Sequence, residues 1–202
     1  MKRLILSLVA LIAVMGVSAQ DFRFGVTGTA NLSWVNTPLI SSDAYVGFSA
    51  GVKAEMDMSD IIMDGFYVDG RLLYTLKGGS WAGSHQNIGF IEIPLNFGYR
   101  YHINDDIALM AGVGPYIGYG IIGKYVTKEG DTKIKEDLFG NDVKRFDFGL
   151  NYNIGVELWQ NWQIFAGFEH GLLNLTKSSI DEDTIPLKSH ISNFYIGVAY
   201  MF

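Results

Sequence analysis

The feature that most constrains this chain is a two-residue alternation between apolar residues and small or polar ones. It is clearest over residues 145–158, where one set is Phe146, Phe148, Leu150, Tyr152, Ile154, Val156 and Leu158, and the other is Arg145, Asp147, Gly149, Asn151, Asn153, Gly155 and Glu157. Residues 91–102 divide in the same way. A period of two places the sets on opposite faces of a β-strand, whereas a helix would mix them.

The alternation recurs in eight segments, which are residues 22–35, 44–58, 62–78, 87–103, 106–125, 145–159, 162–176 and 190–202. Short turns at residues 58–61, 104–105 and 160–161 alternate with longer, more polar links at residues 36–43, 79–86, 126–144 and 177–189. Outer-membrane barrels have short periplasmic turns and longer outer loops. The sequence predicts an all-β fold, an eight-stranded antiparallel transmembrane β-barrel with both termini periplasmic.

Alternation alone leaves open which face is inside, because a soluble lipocalin-like barrel would enclose its apolar set. Three features favour lipid outside. The non-apolar face is rich in glycine, which suits a cramped lumen, and the apolar face carries no Asp, Glu, Lys or Arg. Aromatic residues gather near strand ends, with Tyr101, Trp159, Trp162 and Phe202 at one level and Trp34 and Tyr74 towards the other.

The first residues resemble a secretory signal peptide. Lys2 and Arg3 precede an apolar run over residues 4–17, and the small residues Ser18 and Ala19 follow. The run is shorter than the roughly 20 residues that a spanning helix needs. We therefore predict a cleaved signal peptide at residues 1–19 and one barrel domain at residues 20–202. The chain has no cysteine, so it has neither disulfides nor the lipoprotein type of anchor.

The chain ends on an aromatic strand in which Gly197, Tyr200 and Phe202 stand in the spacing of the C-terminal signal read by the barrel-assembly machinery. The blocks over residues 90–101, 112–119 and 146–150 resemble the PorT-like outer-membrane β-barrel family, common in Bacteroidetes. This resemblance covers nearly the whole chain after the signal peptide. Its motifs are structural, so it implies fold and outer-membrane location more than activity.

Charged residues of both signs fall on the predicted inner face: Arg23, Lys53, Glu55, Asp69, Arg71, Glu92, Arg100, Asp147, Glu157 and Glu169. An eight-stranded barrel leaves a lumen just wide enough for side chains, and charges enclosed there must be paired or hydrated. The pattern predicts a charge network that plugs the lumen. The alternative is a narrow ion or proton channel.

An enzymatic alternative comes from histidines on the predicted lipid face. The residues around His170 resemble the Glu-His-x-Ser motif of the lipid A deacylases, but Leu172 stands where that family has its serine. Acyl transfer needs a nucleophile beside the base. His190 and Ser192 form a second His-x-Ser pair, whose spacing is common by chance. We therefore predict no catalytic residue.

The remaining patterns give no cofactor. The four histidines are scattered without ligand spacing, which predicts no metal site. The formal charge of −6 becomes −8 without Lys2 and Arg3, which argues against nucleic-acid partners. The expected role is a non-enzymatic structural or interaction barrel, with outer loops such as residues 126–144 that contact extracellular or envelope proteins. Its other expected partners are outer-membrane lipids and the assembly machinery.

Overall fold

The computed structural model describes residues 22–37, 41–81, 84–129, 132–139, 143–176 and 189–202. The signal peptide predicted at residues 1–19 lies outside these residues. Within the described ranges, no helix is long and apolar enough to cross a membrane.

The described residues form nine antiparallel strands. They are β1 (Phe22–Asn36), β2 (Tyr45–Asp57), β3 (Phe66–Trp81), β4 (Ser84–His102), β5 (Ile107–Glu129), β6 (Thr132–Asp137), β7 (Phe146–Leu158), β8 (Trp162–Gly171) and β9 (His190–Met201). The pairing of β4 with β5 closes all strands except β6 into one barrel, while β6 pairs with the far end of β5. The predicted eight-stranded antiparallel barrel is confirmed, and β6 is an addition to it.

The alternation separates the two faces of the barrel wall. Along β7, Asp147, Asn151 and Glu157 are buried in the lumen, whereas Tyr152 and Ile154 are exposed on the outer wall. The exposed fraction of Ile154 reaches 68%. Apolar side chains are exposed in the same way on the other barrel strands, so the outer wall is one broad apolar surface. Such a surface suits lipid and not water.

Inward-facing glycines make room for three lumen tyrosines. A Cβ atom on Gly98 would lie 2.3 Å from the ring of Tyr67, and one on Gly167 would lie 2.3 Å from the ring of Tyr195. A Cβ atom on Gly149 would lie 2.6 Å from the ring of Tyr116. Each separation is far below a van der Waals contact. The glycine-rich face is therefore the face that must pack large rings inside a narrow barrel.

The two ends of the barrel differ. The turn end carries the first described residue, Phe22, the last residue, Phe202, and the links at residues 58–65, 103–106 and 159–161. The hairpin end carries the described residues 37, 41–44, 172–176 and 189, which flank β1, β2, β8 and β9, together with the paired ends of β3 and β4 and of β5 and β6. The link predicted at residues 79–86 is wrong for most of its length, because β3 and β4 stay paired up to Trp81 and Ser84.

Several predicted boundaries also move. The loop predicted at residues 126–144 contains the end of β5 and all of β6, because backbone pairing continues past the barrel wall. The seventh predicted segment was extended to residue 176, but β8 ends at Gly171. The link between β2 and β3 covers residues 58–65 and is longer than the predicted turn at 58–61.

The tight turn between β7 and β8 is centred one residue earlier than predicted. Trp159 and Gln160 have φ angles of 50° and 62°, and the N–H of Asn161 donates to the carbonyl of Leu158 at 3.2 Å. Two consecutive positive φ angles characterise the hairpin turn whose twist matches that of the strands. The turn therefore uses Trp and Gln where Asn and Gly are usual.

A bulge breaks the alternation near the hairpin end. The register between β4 and β5 shifts at Gly89 and Phe90, and Ile121 and Ile122 are both exposed. A bulged strand adds one residue and so reverses which side chains face inward. The simple alternation predicted over residues 106–125 is therefore wrong beyond residue 120.

Candidate functional site

The lumen contains a network of charged and polar side chains. All ten residues of the predicted charge network point into the barrel. Nine of them are buried, and Arg23 is partly exposed at the turn end. Their contacts form one charged cluster at the turn end and another at the hairpin end. Between the two clusters lies one ion pair surrounded by uncharged polar side chains.

The turn-end cluster consists of Arg23, Lys53, Glu55, Arg100, Glu157 and Gln163. Glu55 accepts hydrogen bonds from Arg23 and Arg100 and lies 3.1 Å from the Nζ of Lys53. Glu157 pairs with Arg23 at 2.7 Å and with the Nε of Arg100 at 3.1 Å. The amide of Gln163 joins the two carboxylates, donating to Glu55 at 3.1 Å and to Glu157 at 2.8 Å.

The middle of the lumen holds a single ion pair with an amide chain. The Nε of Arg71 donates to Asp69 at 3.1 Å, and Asn96 donates to the same carboxylate oxygen at 3.2 Å. Asn151 donates to Asn96 at 2.7 Å, and the hydroxyl of Tyr195 donates to Asn151 at 2.7 Å. These side chains come from four different strands, so they hold opposite walls of the barrel together.

The hairpin-end cluster consists of Lys77, Glu92, Tyr116, Asp147 and Glu169. The Nζ of Lys77 lies 2.5 Å from Glu92 and 2.6 Å from Glu169. It also lies 4.8 Å from the ring centre of Tyr116, whose hydroxyl donates to Asp147 at 3.0 Å. Lys77, Glu92 and Asp147 are completely buried. Lys77 is thus paired with two of the three carboxylates of this cluster, and the Tyr116 hydroxyl is bonded to the third.

An apolar lid covers the hairpin-end cluster. It is formed by Val35, Ile88, Phe90, Phe139, Leu175 and Ile191, with Trp81, Leu138 and Val143 packed against it. Phe90 connects the lid to the cluster, since its ring centre lies 6.0 Å from the Nζ of Lys77. Phe139 and Leu175 lie outside the barrel strands, so residues beyond the wall complete the lid. Beneath the lid, Lys77 and Glu92 have no solvent-accessible surface.

Sequence reasoning missed Lys77, Gln163 and Tyr116. Lys77 has the same parity along β3 as Asp69 and Arg71, so a strict count of alternating positions would have found it. Gln163 has the parity of Glu169 along β8, but its side chain carries no charge that would mark it as part of a charge network. Tyr116 could not be assigned from type alone, because tyrosines lie on both faces of this barrel.

This arrangement opposes passage through the lumen. Removing an ion from water costs several kcal/mol unless charges and hydrogen bonds compensate, and in both clusters the compensating groups are neighbouring side chains. A solute would have to displace ion pairs such as Lys77–Glu92 or Arg100–Glu157. The geometry is that of a filled polar core crossed by hydrogen bonds from every side.

On the outer wall at the hairpin end, two histidines lie side by side. The ring centres of His170 and His190 are 5.5 Å apart, and His170 is paired across the strands with Ser192. Ser192 accepts a hydrogen bond from Asn36 at 2.9 Å. Leu172 is 52% exposed and supplies no nucleophile. No group of three or more potential metal-binding side chains occurs in the described part of the chain.

Several solved structures are similar to this chain over most of its length. Neisserial surface protein A has a TM-score of 0.51 and 14% identity, over 89% of this chain and 97% of that protein. The attachment invasion locus protein Ail of Yersinia pestis has a TM-score of 0.47 and 15% identity, over 90% of this chain and 99% of Ail. OprG of Pseudomonas aeruginosa has a TM-score of 0.43 and 13% identity, over 93% of this chain and 98% of OprG.

No curated protein matches the chain in sequence. The family model described as the outer membrane protein beta-barrel domain matches residues 4–202. That match supports a place in the bacterial outer membrane, where the apolar outer wall would meet lipid. Because the model matches nearly the whole sequence, the chain belongs to the outer membrane protein β-barrel domain family.

Proposed function

We propose that this protein is a non-enzymatic outer-membrane barrel that presents its hairpin end to the cell exterior as an interaction surface. Its lumen is closed to solutes, so the role is a structural or interaction role and not one of transport. Residues 1–19 serve as a cleaved signal peptide, and both termini face the periplasm. The resemblance to the PorT-like family supports the same location without specifying a partner.

The observation that carries the proposal is the filled lumen beneath an apolar lid. Lys77 is completely buried between two carboxylates, and Phe90 covers it from the hairpin end. A barrel closed in this way acts through its surfaces. At the hairpin end these surfaces are the extended β3–β4 and β5–β6 hairpins, and loops on a rigid scaffold are common recognition elements.

Planar-bilayer recording tests the closed lumen against the channel alternative. We expect no stepwise conductance from the purified barrel, because the ion pairs of both clusters occupy the lumen. The variant Phe139→Ala removes part of the lid but leaves the turn-end cluster intact. We therefore expect it to remain non-conducting as well. Reproducible single-channel steps from the unmodified protein would contradict the proposal.

Cysteine labelling in intact cells tests the orientation, and the chain has no cysteine to interfere. Asp43 is exposed at the hairpin end and Asp105 is exposed at the turn end, which makes them a matched pair. A membrane-impermeant maleimide should label Asp43→Cys in intact cells, but label Asp105→Cys only after the outer membrane is permeabilised. The reverse pattern would overturn the proposed orientation.

Insertion into the membrane requires the assembly machinery, and β9 carries the proposed signal for it. Tyr200 packs edge-on against Trp162 at 5.0 Å and against Phe202 at 5.6 Å, while the N–H of Phe202 donates to Phe24 at 2.8 Å. The last residues thus complete the barrel seam. Loss of the heat-modifiable folded band in a Tyr200→Ser/Phe202→Ser variant would support the assignment, and normal assembly would contradict it.

A lipid-modifying enzyme is the second candidate, since His170 lies opposite Ser192 on the outer wall. Ser192 is only 3% exposed, and its hydroxyl oxygen already accepts a hydrogen bond from Asn36. We expect the acylation pattern of lipid A to be identical in cells with the unmodified protein and with Ser192→Ala. A changed pattern would favour the enzyme.

A further inference from the structure

The link between β2 and β3 presents exposed apolar side chains at the turn end. Ile61, Ile62 and Met63, here called the apolar tip, are each more than half exposed. They lie past the last residue of β2, in a link that covers residues 58–65, whereas residues 159–161 suffice to join β7 to β8. A link of this length is not needed to connect neighbouring strands. Its additional residues therefore serve to present the tip.

Hydrogen bonds hold this link in a fixed shape. The N–H of Ile62 donates to the carbonyl of Met58 at 2.9 Å, and the N–H of Gly65 donates to the hydroxyl of Ser59 at 3.0 Å. The carbonyl of Gly65 accepts from the N–H of Arg100 at 2.7 Å. This last bond sets the link beside the end of β4, and so beside the next link, at residues 103–106. A surface that is already ordered loses little entropy when it binds a partner.

Exposed aspartates accompany the tip in these two links and at the end of β2. They are here called the acidic rim and are Asp57, Asp60, Asp64, Asp105 and Asp106. None of them forms an ion pair with a described residue. The positive charges of this end, Arg23, Lys53 and Arg100, belong to the turn-end cluster in the lumen. His102 adds at most one exposed positive charge. The water-facing side of the turn end is therefore strongly negative.

These charges decide which occupant fits the tip. A second copy of the chain would bring one acidic rim against another, and like charges in an interface repel. Insertion into lipid would draw in Asp60 and Asp64, which directly flank the tip, and carboxylates are costly there. Among the described residues, no three potential metal ligands converge, so the rim is a spread of charge and not a metal cage. A positively charged partner is the remaining fit.

We propose that the turn end is a second docking surface, which binds a periplasmic protein that presents an apolar pocket surrounded by Lys and Arg side chains. The apolar tip enters the pocket, and the acidic rim pairs with the surrounding cations. An apolar centre within a polar rim of complementary charge is the usual composition of a protein–protein interface. The periplasmic location of the partner rests on the proposed orientation of the barrel.

Site-specific photo-crosslinking in living cells tests the proposal. A photoreactive phenylalanine analogue is introduced at Ile62 in the tip. The matched control carries the analogue at Val46, which is 72% exposed on the outer wall at the other end of β2. Illumination should give a discrete protein adduct from position 62 and none from position 46. Mass spectrometry of the adduct should show that the crosslinked segment of the partner has an excess of Lys and Arg.

Charge dependence completes the test. Asp60→Asn/Asp64→Asn removes two charges of the rim at nearly constant side-chain size, and it should lower the yield of the adduct about fivefold. Asp43→Asn/Asp137→Asn removes two exposed charges at the hairpin end and should leave the yield unchanged. Heat-modifiable gel mobility shows that each variant is folded. Absence of a protein adduct would overturn the proposal, as would an adduct with the mass of two copies of the chain, a crosslinked segment without excess positive charge, or a yield independent of the rim.

The outcome is separable from that of the proposed function. If Asp105→Cys is labelled only after permeabilisation and the crosslinking fails, only this inference is wrong. If Asp105→Cys is labelled in intact cells, the proposed orientation is wrong and the partner is not periplasmic, whatever the crosslinking gives.

Discussion

The two charged clusters of the lumen differ in composition and in their access to water. The turn-end cluster has three cations for two carboxylates, and Arg23 keeps 26% of its side chain exposed. The hairpin-end cluster has one cation for three carboxylates and lies beneath the apolar lid. Water can compensate a lost partner at the first cluster and not at the second. The hairpin end should therefore be the more sensitive of the two to loss of a charge.

Removing Lys77 should have the largest effect. Lys77→Met leaves Glu92 and Glu169 without their cation in a dry site, which should lower the free energy of unfolding by about 3–5 kcal/mol. Denaturant titration in micelles, followed by tryptophan fluorescence, measures the change. Lys124→Met removes an exposed lysine and serves as the control, with an expected change within about 0.5 kcal/mol. An unchanged unfolding midpoint for Lys77→Met would show that the hairpin-end cluster is not the more sensitive of the two clusters.

Opening the lid should have the next largest effect. Phe139→Ala leaves a cavity above the hairpin-end cluster and should cost about 3 kcal/mol in the same titration. It also admits water to Lys77, so the penalty of Lys77→Met should become smaller in the Phe139→Ala background. Strict additivity of the two changes would show that the lid does not keep the cluster dry.

Neutralising the central carboxylate of the turn-end cluster should lower the free energy of unfolding by less than the two preceding changes. Glu55→Gln removes the charge that Arg23, Lys53 and Arg100 share, yet Glu157 remains and Arg23 can turn towards water. We expect a loss of about 2–3 kcal/mol in unfolding free energy. A loss larger than that of Lys77→Met would reverse the order of the two clusters.

The smallest effect should come from Arg23→Met. Arg23 pairs with Glu55 and Glu157, but Arg100 contacts both carboxylates as well, and the partial exposure of Arg23 lets water hydrate them. A partly exposed pair contributes little, so the expected loss is about 1 kcal/mol. Measuring the loss at low and high salt sharpens the comparison, because screening should reduce it for Arg23→Met and leave the Lys77→Met penalty nearly unchanged.

Much of the fold could be predicted from local pattern. Residues 145–158 reveal a strand with one apolar face, and the structure places that face outward along β7. The errors lie where pairing with a distant strand overrides local composition. Residues 79–86 are small or polar apart from Trp81, yet β3 and β4 pair through most of them because each strand satisfies the other's backbone groups.

The candidate sites were predicted less completely. Ten charged lumen residues were predicted from parity, and an eleventh, Lys77, has the same parity. Parity does not say that Glu55 is contacted from β1, β2 and β4 while Glu169 is contacted from β3 and β9. The apolar lid was missed altogether. Phe139 stands outside the predicted alternating segments, and Leu175 stands in the seventh one but beyond the end of β8 at Gly171. Nothing in the local sequence indicates that either residue meets Phe90.

The sequence by itself divided most strand residues into two opposite faces, because a period of two is a local property of an extended chain, but it could not foresee the bulge that ends the alternation beyond residue 120. Only the tertiary structure decided which charges meet, since the stagger of eight closed strands sets the level of each inward side chain. The same closure decided that His190 lies beside both His170 and Asn36. These residues are far apart along the chain, and only the pairing of β1, β8 and β9 brings them together.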